Sequence, residues 1–308
     1  MNFLYNLYFN LPNFDSLGLP GRAVNRLLQV ILKWIFDRLM PKYYKKNMHQ
    51  ADSGINTLNR DESYIVSLTS FPQRINGVWI TIETLMRQTF KPDMILLWLA
   101  EEQFPDKRIP DILNQQIKRG LVIKFCEDLR AHKKYFHSLL NFPSANVITV
   151  DDDLYFPRDL LSNLARLHKE FPGLIVTNRA HKITFSGETI NPYKKWKHNV
   201  TDTRPSHLLV ATGGAGTLYP PASLHSDVFN KELFQKLCFH ADDLWLKIMS
   251  LKNGTMIATN NLYNKDFVTV GSSQKTKLVS INVLKGGNDE QLNNLLTYFG
   301  TDMIKKFQ

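Results

Sequence analysis

The stretch Asn146-Val147-Ile148-Thr149-Val150-Asp151-Asp152-Asp153 decides the fold predicted for this chain. Residues 147–150 are apolar or β-branched, which predicts a short buried strand. The strand runs directly into three carboxylates, and Pro157 prevents a sheet ladder from continuing beyond them. Three adjacent acids repel one another, so they need a compensating cation. The triplet therefore indicates either a site for Mg²⁺ or Mn²⁺, which prefer hard oxygen ligands, or an acidic turn in solvent.

Strands and helices alternate from Glu62 onward. Strands are predicted at 64–68, 94–99, 121–125, 147–150 and 174–177, and helices at 78–89, 110–118, 133–140 and 158–170. This alternation predicts an α/β protein with a parallel sheet and helices on both faces. Ligands bind such sheets beyond the carboxyl ends of the strands. Thr69-Ser70, Cys126-Glu127-Asp128 and the acidic triplet all follow strands, so we expect them to line one crevice.

Three further features follow the triplet. Residues 179–205 are basic, aromatic and rich in turn residues, which predicts a flap over the crevice. Gly213-Gly214-Ala215-Gly216 would let the backbone approach a ligand closely, with a tight turn as the alternative. This segment lacks the spacing of a dinucleotide-binding motif. Asp242 and Asp243 precede a helix that is expected to run to Leu251, and one of them is predicted to cap it. A cap explains only one acid, so the other is expected to face the crevice.

Composition is that of an ordinary folded protein. The 308 residues are 43% hydrophobic and 21% charged, which excludes wholesale disorder. Cys126 and Cys238 lie far apart in apolar segments and are predicted to be buried free thiols. The net charge is +10, and residues 1–50 carry half of this surplus, since they contain seven lysines and arginines against two aspartates. This asymmetry favours a phosphate-rich or membrane partner for the N-terminal segment.

Residues 24–40 predict a basic amphipathic helix. Its polar face comprises Arg22, Arg26, Gln29, Lys33 and Asp37, and its apolar face comprises Leu27, Ile31, Trp34 and Ile35. Charges interrupt it too often for a membrane-spanning helix, and residues 1–20 lack the composition of a signal peptide. With the basic residues at 42–46, the helix suits an anionic membrane surface. Packing on the protein's own core is the alternative, because periodicity does not separate the two.

Together, the aspartate triplet, the glycine segment and Ala241-Asp242-Asp243-Leu244-Trp245-Leu246 resemble a GT-A-fold glycosyltransferase over about residues 62–260. The pattern is similar to that of bacterial polysaccharide transferases and the exostosin-like enzymes of animals. The resemblance implies a Rossmann-like, mixed and mainly parallel sheet. It implies a nucleotide-sugar donor, most often a UDP-sugar, bound with Mn²⁺ or Mg²⁺. With the composition of the ends, we expect three parts: a basic amphipathic segment with a linker (1–60), which has no counterpart in the resemblance, a GT-A domain (61–262) and a C-terminal tail with a helix (263–308).

The resemblance also implies roles for individual residues. Asp151 and Asp153 would bind the metal, which neutralises the departing diphosphate. Gly213 and Gly214 would line the donor and acceptor sugars. From its aromatic ring alone, Tyr219 is expected either to stack on an acceptor sugar or to pack in the core or the flap. Asp243, or Asp242, would be the catalytic carboxylate near the anomeric carbon. If the reaction inverts the configuration of the sugar, this carboxylate would act as a general base. If the configuration is retained, it would stabilise the cationic state of the sugar. The residues implied to bind the donor nucleotide are Thr69, Ser70, Arg74, Lys133, Lys134, Asp151 and Asp152.

The expected acceptor is a glycan or a lipid-linked glycan in surface polysaccharide synthesis. We expect the protein to be cytoplasmic and peripheral on the inner face of the membrane. One alternative is a nucleotidyltransferase that makes the nucleotide sugar, which is disfavoured because no glycine follows the first strand until Gly77. Another is a nucleic-acid-binding module, suggested by the net charge and the basic aromatic residues at 191–198. Two acidic clusters argue against nucleic acid, since they repel phosphate in the absence of a metal.

Overall fold

The computed structural model of the protein describes residues 2–12, 14, 17–49, 53–202, 204–260, 262–263, 265–271, 286–300 and 302–307. Its helices are α1 (Asn2–Phe9), α2 (Gly18–Asn47), α3 (Val78–Met86), α4 (Asp111–Ile117), α5 (Lys133–Asn141), α6 (Leu160–Glu170), α7 (Lys231–Leu237), α8 (Asp242–Lys252), α9 (Gly287–Phe299) and α10 (Asp302–Lys305). Its strands are β1 (Tyr64–Thr69), β2 (Met94–Ala100), β3 (Leu121–Cys126), β4 (Asn146–Thr149), β5 (Ile175–Thr177), β6 (Ala180–Lys182), β7 (Phe185–Ser186), β8 (Thr189–Ile190), β9 (Leu209–Ala211), β10 (Thr217–Tyr219) and β11 (Ile257–Ala258).

The central sheet has seven strands in the order β11-β5-β10-β4-β1-β2-β3. Strand β10 runs antiparallel to both of its neighbours, and the other pairs are parallel. The mixed, mainly parallel sheet predicted from the sequence is therefore confirmed. The predicted strands lie within a residue of those observed, and β4 ends at Thr149, so Val150 already belongs to the loop that carries the acids.

The sheet separates two apolar cores. Side chains alternate between the two faces of a strand. Val66 and Leu68 of β1 thus pack with residues of α2, α3 and α6, whereas the hydroxyl of Ser67 donates to the Lys134 carbonyl in α5 on the other face. The second core is built from residues of α5, α7, α8 and α9. Helices therefore flank the sheet on both sides. Cys126 and Cys238 are free and buried, as predicted.

Helix α2 packs on the first core through a face that the sequence did not single out. Leu32, Phe36, Met40 and Tyr44 are buried against the core. Most of the predicted apolar face points the other way, since Leu27 is 59% and Trp34 61% exposed, while Ile35 packs against the core. The helix thus packs on the protein and still presents an apolar surface to solvent. Within the described part of the chain, no helix is both long and apolar enough to cross a bilayer.

Candidate functional site

The acidic triplet lies where the carboxyl end of β4 leaves the sheet. The Val150 amide donates to the Ser67 carbonyl (3.1 Å), and the Asp151 amide donates to the Gly214 carbonyl (3.3 Å). From α3, the Thr81 hydroxyl donates to the Asp152 carbonyl (3.0 Å). The end of β1, the glycine segment and α3 therefore meet at the triplet. Ser70 and the triplet converge as the strand ends predicted. Glu127 and Asp128 after β3 instead pair with Lys231 and Lys133.

Asp152 is the most buried acid of the triplet. Its side chain accepts hydrogen bonds from the Ser70 hydroxyl (2.5 Å) and from Arg74 Nη1 (2.8 Å). The same Arg74 nitrogen lies 3.0 Å from Asp153 Oδ2. Burial raises the pKa of Asp152, and the guanidinium of Arg74 acts against that shift. The alternative of an acidic turn in solvent is thus wrong for Asp152 and Asp153, because both are held by a largely buried arginine.

Lys134 joins the two acidic motifs. Its ammonium lies 2.9 Å from Asp151 Oδ1 and 3.0 Å from Asp242 Oδ2, and its side chain is buried. Burial alone would lower the pKa of Lys134, but the nearby carboxylates of Asp151, Asp242 and Asp243 hold it well above its usual value. In return, although burial acts to raise the pKa of Asp151, the charge of Lys134 holds it below its usual range. Acids from two distant parts of the sequence therefore share one cation.

Two residues expected at the donor nucleotide are engaged elsewhere. Lys133 pairs with Asp128 beyond the end of β3. The hydroxyl of Thr69 donates to the Trp98 carbonyl in the neighbouring strand (2.9 Å). Of the two lysines that the sequence offered, Lys134 is the one at the centre of the acidic cluster.

Gly213 and Gly214 make room for carboxylates. The Gly213 amide donates to Asp243 Oδ1 (2.9 Å), and a Cβ at Gly213 would lie only 2.9 Å from that oxygen. A Cβ at Gly214 would lie 2.1 Å from Asp151 Oδ2, so any other residue there would displace the Asp151 carboxylate. Residues 213–215 also form a tight 3-10 turn. The turn predicted as an alternative is thus present, and it brings the backbone close to both acidic motifs.

The pKa of Asp243 is raised toward neutral pH. Burial, together with the neighbouring charge of Asp242, raises the pKa of Asp243 to about 7, while Lys134 acts in the opposite direction. The prediction that one of these acids caps α8 is wrong. Ala241 occupies the capping position, and no side-chain hydrogen bond is made there. Both carboxylates are instead used in the cluster, by Lys134 and by the Gly213 amide.

Tyr219 lies beneath the acids. Its side chain is buried, and burial together with the charges of Asp243 and Asp242 raises the pKa of its hydroxyl far above the usual value. The ring offers no exposed face to a sugar in this structure, so its position does not support an acceptor contact.

Arg179 and Tyr193 belong to the site and were missed by the sequence analysis as individual residues. Arg179 follows β5 by two residues and donates from Nε to the Thr212 hydroxyl (2.9 Å). Its charge is one of those that lower the pKa of Asp151. Burial and the charge of Asp243 raise the pKa of Tyr193 to about 12. Arg179 also pairs with Asp266. Both residues lie in the predicted flap, so parts of that segment lie close enough to the acids for their charges to interact. The sequence signal that could have identified Arg179 is its position two residues after the strand predicted at 174–177.

The cluster fits a divalent ion that arrives with phosphate ligands. Among the residues that the structure describes, no three histidine, cysteine, aspartate or glutamate side chains are grouped to hold an ion. Mg²⁺ and Mn²⁺ sites of this kind need only one or two protein carboxylates, because substrate phosphates complete the coordination. Asp151 can supply such an oxygen, since its side chain is 46% exposed. The donor set therefore suits a metal–diphosphate complex.

Comparison with known proteins gives likeness in fold only. No protein-family model matches the chain, and no curated protein matches it. Mannosyltransferase PcManGT from Pyrobaculum calidifontis, in complex with GDP-Man and Mn²⁺, is similar at 11% identity and TM-score 0.45 over 91% of this chain and 79% of that one. S. aureus TarS 1-349 is similar at 14% identity and TM-score 0.38, over 67% of this chain and 59% of that one. GalNAc-T7 with UDP, GalNAc and Mn²⁺ is similar at 11% identity and TM-score 0.40, over 82% of this chain and 56% of that one. At such values a function has to be argued from the residues of the site.

Proposed function

We propose that the protein is a metal-dependent glycosyltransferase that moves a sugar from a nucleotide sugar, in the first instance a UDP-sugar, to a hydroxyl of an acceptor glycan. The observation that carries this proposal is the sharing of Lys134 by Asp151 and Asp242 at the carboxyl end of the sheet. It brings together acids suited to a metal–diphosphate and an acid able to exchange a proton near neutral pH. An inverting transfer of a sugar from a nucleotide diphosphate needs both groups at one place.

On the donor side, the protein has to stabilise a departing diphosphate. Asp151 and Asp153 would hold Mn²⁺ or Mg²⁺, which offsets the negative charge of the leaving group. Arg74 and Lys134 add fixed positive charge beside it. In this proposal Ser70 acts through Asp152, because its hydroxyl is already donated to that carboxylate. Asp152 therefore orients the triplet, while its two neighbours face the ligand.

On the acceptor side, Asp243 is proposed to take the proton of the attacking hydroxyl. A base works best when its pKa is close to the working pH, and that of Asp243 is raised to about 7. The Gly213 amide fixes one oxygen of its carboxylate. A permanently ionised acid would serve better if its only task were to stabilise a cationic sugar. The pKa therefore favours the general-base role and an inverting reaction over the retaining alternative.

Nucleotide binding tests the proposal directly. We expect one of UDP, GDP, ADP and CDP to raise the melting temperature in the presence of Mn²⁺ and to have no effect with EDTA. A ligand at a hundred times its Kd stabilises the folded state by about 2.7 kcal/mol, which a thermal-shift titration resolves easily. The responding base identifies the donor class. If none of the four gives a metal-dependent shift, the transferase proposal loses its main support. Salt-sensitive binding of plain oligonucleotides would then favour the nucleic-acid-binding alternative.

We further propose that the acceptor is a glycan or lipid-linked glycan at the inner face of a membrane, in surface polysaccharide synthesis. Support comes from the outer face of α2, defined here as Leu27, Val30, Ile31 and Trp34, all of which are exposed. The cations that flank it in the helix are Arg22, Arg26, Arg38, Lys42, Lys45 and Lys46. Apolar side chains surrounded by cations suit an anionic lipid surface. In this proposal residues 1–60 place the GT-A domain, residues 61–262, at that surface, and residues 263–308 form its tail.

The fluorescence of Trp34 tests this membrane proposal. The four other tryptophans, Trp79, Trp98, Trp196 and Trp245, are at most 9% exposed. We expect vesicles containing anionic phospholipid to shift the emission of Trp34 to the blue and to carry the protein down on sedimentation. Neutral vesicles or high salt should weaken both effects, since salt screens the attraction. Leu27→Ser combined with Ile31→Ser should reduce sedimentation, while Leu262→Ser, at a separate exposed leucine, should not. Unchanged emission with anionic vesicles would contradict the proposal.

A further inference from the structure

The backbone of Asp153 belongs to a short ladder outside the main sheet. The Val270 amide donates to the Asp153 carbonyl (2.7 Å), and the Tyr155 amide donates to the Val268 carbonyl (2.9 Å). Leu154 and Thr269 form an antiparallel bridge between them. Since β4 ends before the acids, these contacts, and not the sheet, set the course of the chain directly after the triplet.

Asp37 of α2 holds both strands of this ladder. Its Oδ1 accepts hydrogen bonds from the Gly271 amide (2.8 Å) and from the Tyr155 hydroxyl (3.1 Å). Its Oδ2 accepts from Lys33 (3.0 Å), whose ammonium also donates to the Thr269 carbonyl (2.5 Å). One turn of α2 thus contacts the segment that follows the acids and the segment that pairs with it.

Gly271 is adapted to this contact. A Cβ at this position would lie 2.4 Å from Asp37 Oδ2, so only glycine lets the carboxylate reach the backbone amide. The sequence placed Lys33 and Asp37 on a polar face opposite the apolar residues. In the structure the pair is turned toward the protein and links α2 to the ladder.

We propose that Asp37 is a positioning residue for the acidic triplet. By fixing Tyr155 and Gly271 it fixes the ladder, and through the ladder the backbone of Asp153. The inference rests on the proposed function, in which Asp153 faces the metal–diphosphate. Asp37 itself touches neither the other acids nor the ligand, so it acts on the site only through the chain that it holds. Residues that orient metal ligands from outside typically change metal affinity or activity about 10–100-fold when they are replaced.

Two variants separate positioning from simple folding. Asp37→Ala removes all the hydrogen bonds of the carboxylate, whereas Tyr155→Phe removes one and keeps the ring, which packs against Phe36 with 5.4 Å between centroids. We expect Asp37→Ala to weaken Mn²⁺ binding about tenfold or more, measured by calorimetry in the presence of whichever of UDP, GDP, ADP and CDP responds in the thermal-shift titration, with a smaller effect for Tyr155→Phe. In hydrogen exchange, the Val270 and Gly271 amides should exchange faster in Asp37→Ala, while the amides of β1 should not change.

Asp93→Asn is the matched control. Asp93 is also an aspartate that holds backbone, since it accepts from the Tyr64 amide (2.6 Å) and pairs with Arg60, but it does so at the far end of β1. Its variant should lower the melting temperature without changing Mn²⁺ affinity. If Asp37→Ala behaves in the same way, Asp37 is only a folding contact and the inference is overturned. If the unaltered protein binds none of UDP, GDP, ADP and CDP with Mn²⁺, the proposed function fails separately. Exchange at Val270 and Gly271 then decides whether Asp37 holds the ladder.

Discussion

Asp243→Asn is expected to lower kcat about a thousandfold while leaving metal-dependent nucleotide binding intact. A positioned general base contributes roughly 10²–10⁴ to a rate, and asparagine keeps the shape and the Gly213 contact but cannot accept the proton. Steady-state kinetics with the responding nucleotide sugar, together with a thermal-shift titration of the nucleotide, measures both quantities. Equal loss of transfer and of nucleotide binding would make Asp243 a structural residue.

The pH profile gives a second measure of the same residue. Because burial raises the pKa of Asp243 to about 7, its carboxylate is largely protonated below that pH and available as a base above it. We therefore expect kcat to rise through neutral pH and to level off on the alkaline side, and the residual rate of Asp243→Asn to be flat over this range. Asp106→Asn, at an exposed aspartate, serves as the matched control and should keep the profile of the unaltered protein. A profile that is unchanged in Asp243→Asn would remove the proton-transfer role.

Asp153→Ala is expected to abolish turnover and the metal-dependent thermal shift together. Removing this carboxylate takes away a proposed metal ligand and also one of the two acids that Arg74 contacts. Loss of a group that stabilises the charge of the leaving group typically costs about 10²–10³ in kcat, and loss of the metal adds to this. The assay is turnover and nucleotide binding with Mn²⁺ varied over a wide range.

Asp106→Asn is again the control, since it changes one exposed carboxylate without touching the cluster. Near-normal rates in Asp153→Ala with metal present would contradict the site assignment. Partial recovery at high Mn²⁺ would agree with it, because a weakened site fills again when the ion is in excess.

The sheet and the meeting point of the acids were predictable because they follow from local patterns. Strands β1 to β4 are apolar runs bounded by turn residues, and parallel strands place the residues after them at one edge. That geometry is enough to bring Ser70 and the triplet together. This prediction can be made without knowing any individual side-chain contact. The glycine segment joins them because it precedes β10, which runs antiparallel to β4.

What the sequence did not predict depends on contacts between distant segments. Adjacent helix residues point about 100° apart, so only the docking of α5 on Ser67 decides that Lys134, and not Lys133, faces the acids. The cap expected at the start of α8 does not form, because Lys134 and the Gly213 amide engage Asp242 and Asp243 instead. Helix α2 carries apolar residues on more than one side, so its periodicity could not identify the face that packs on the core.

The position of Lys134 between two acids limits how this site can change during evolution. A protein that loses either Asp151 or Asp242 leaves the same buried ammonium with less compensating negative charge, and a protein that loses the lysine leaves both carboxylates without this cation. Gly214 belongs to the same set, because any side chain there displaces Asp151. These four positions, scattered over more than a hundred residues of sequence, thus depend on one another, and we expect them to be kept or replaced together in related sequences.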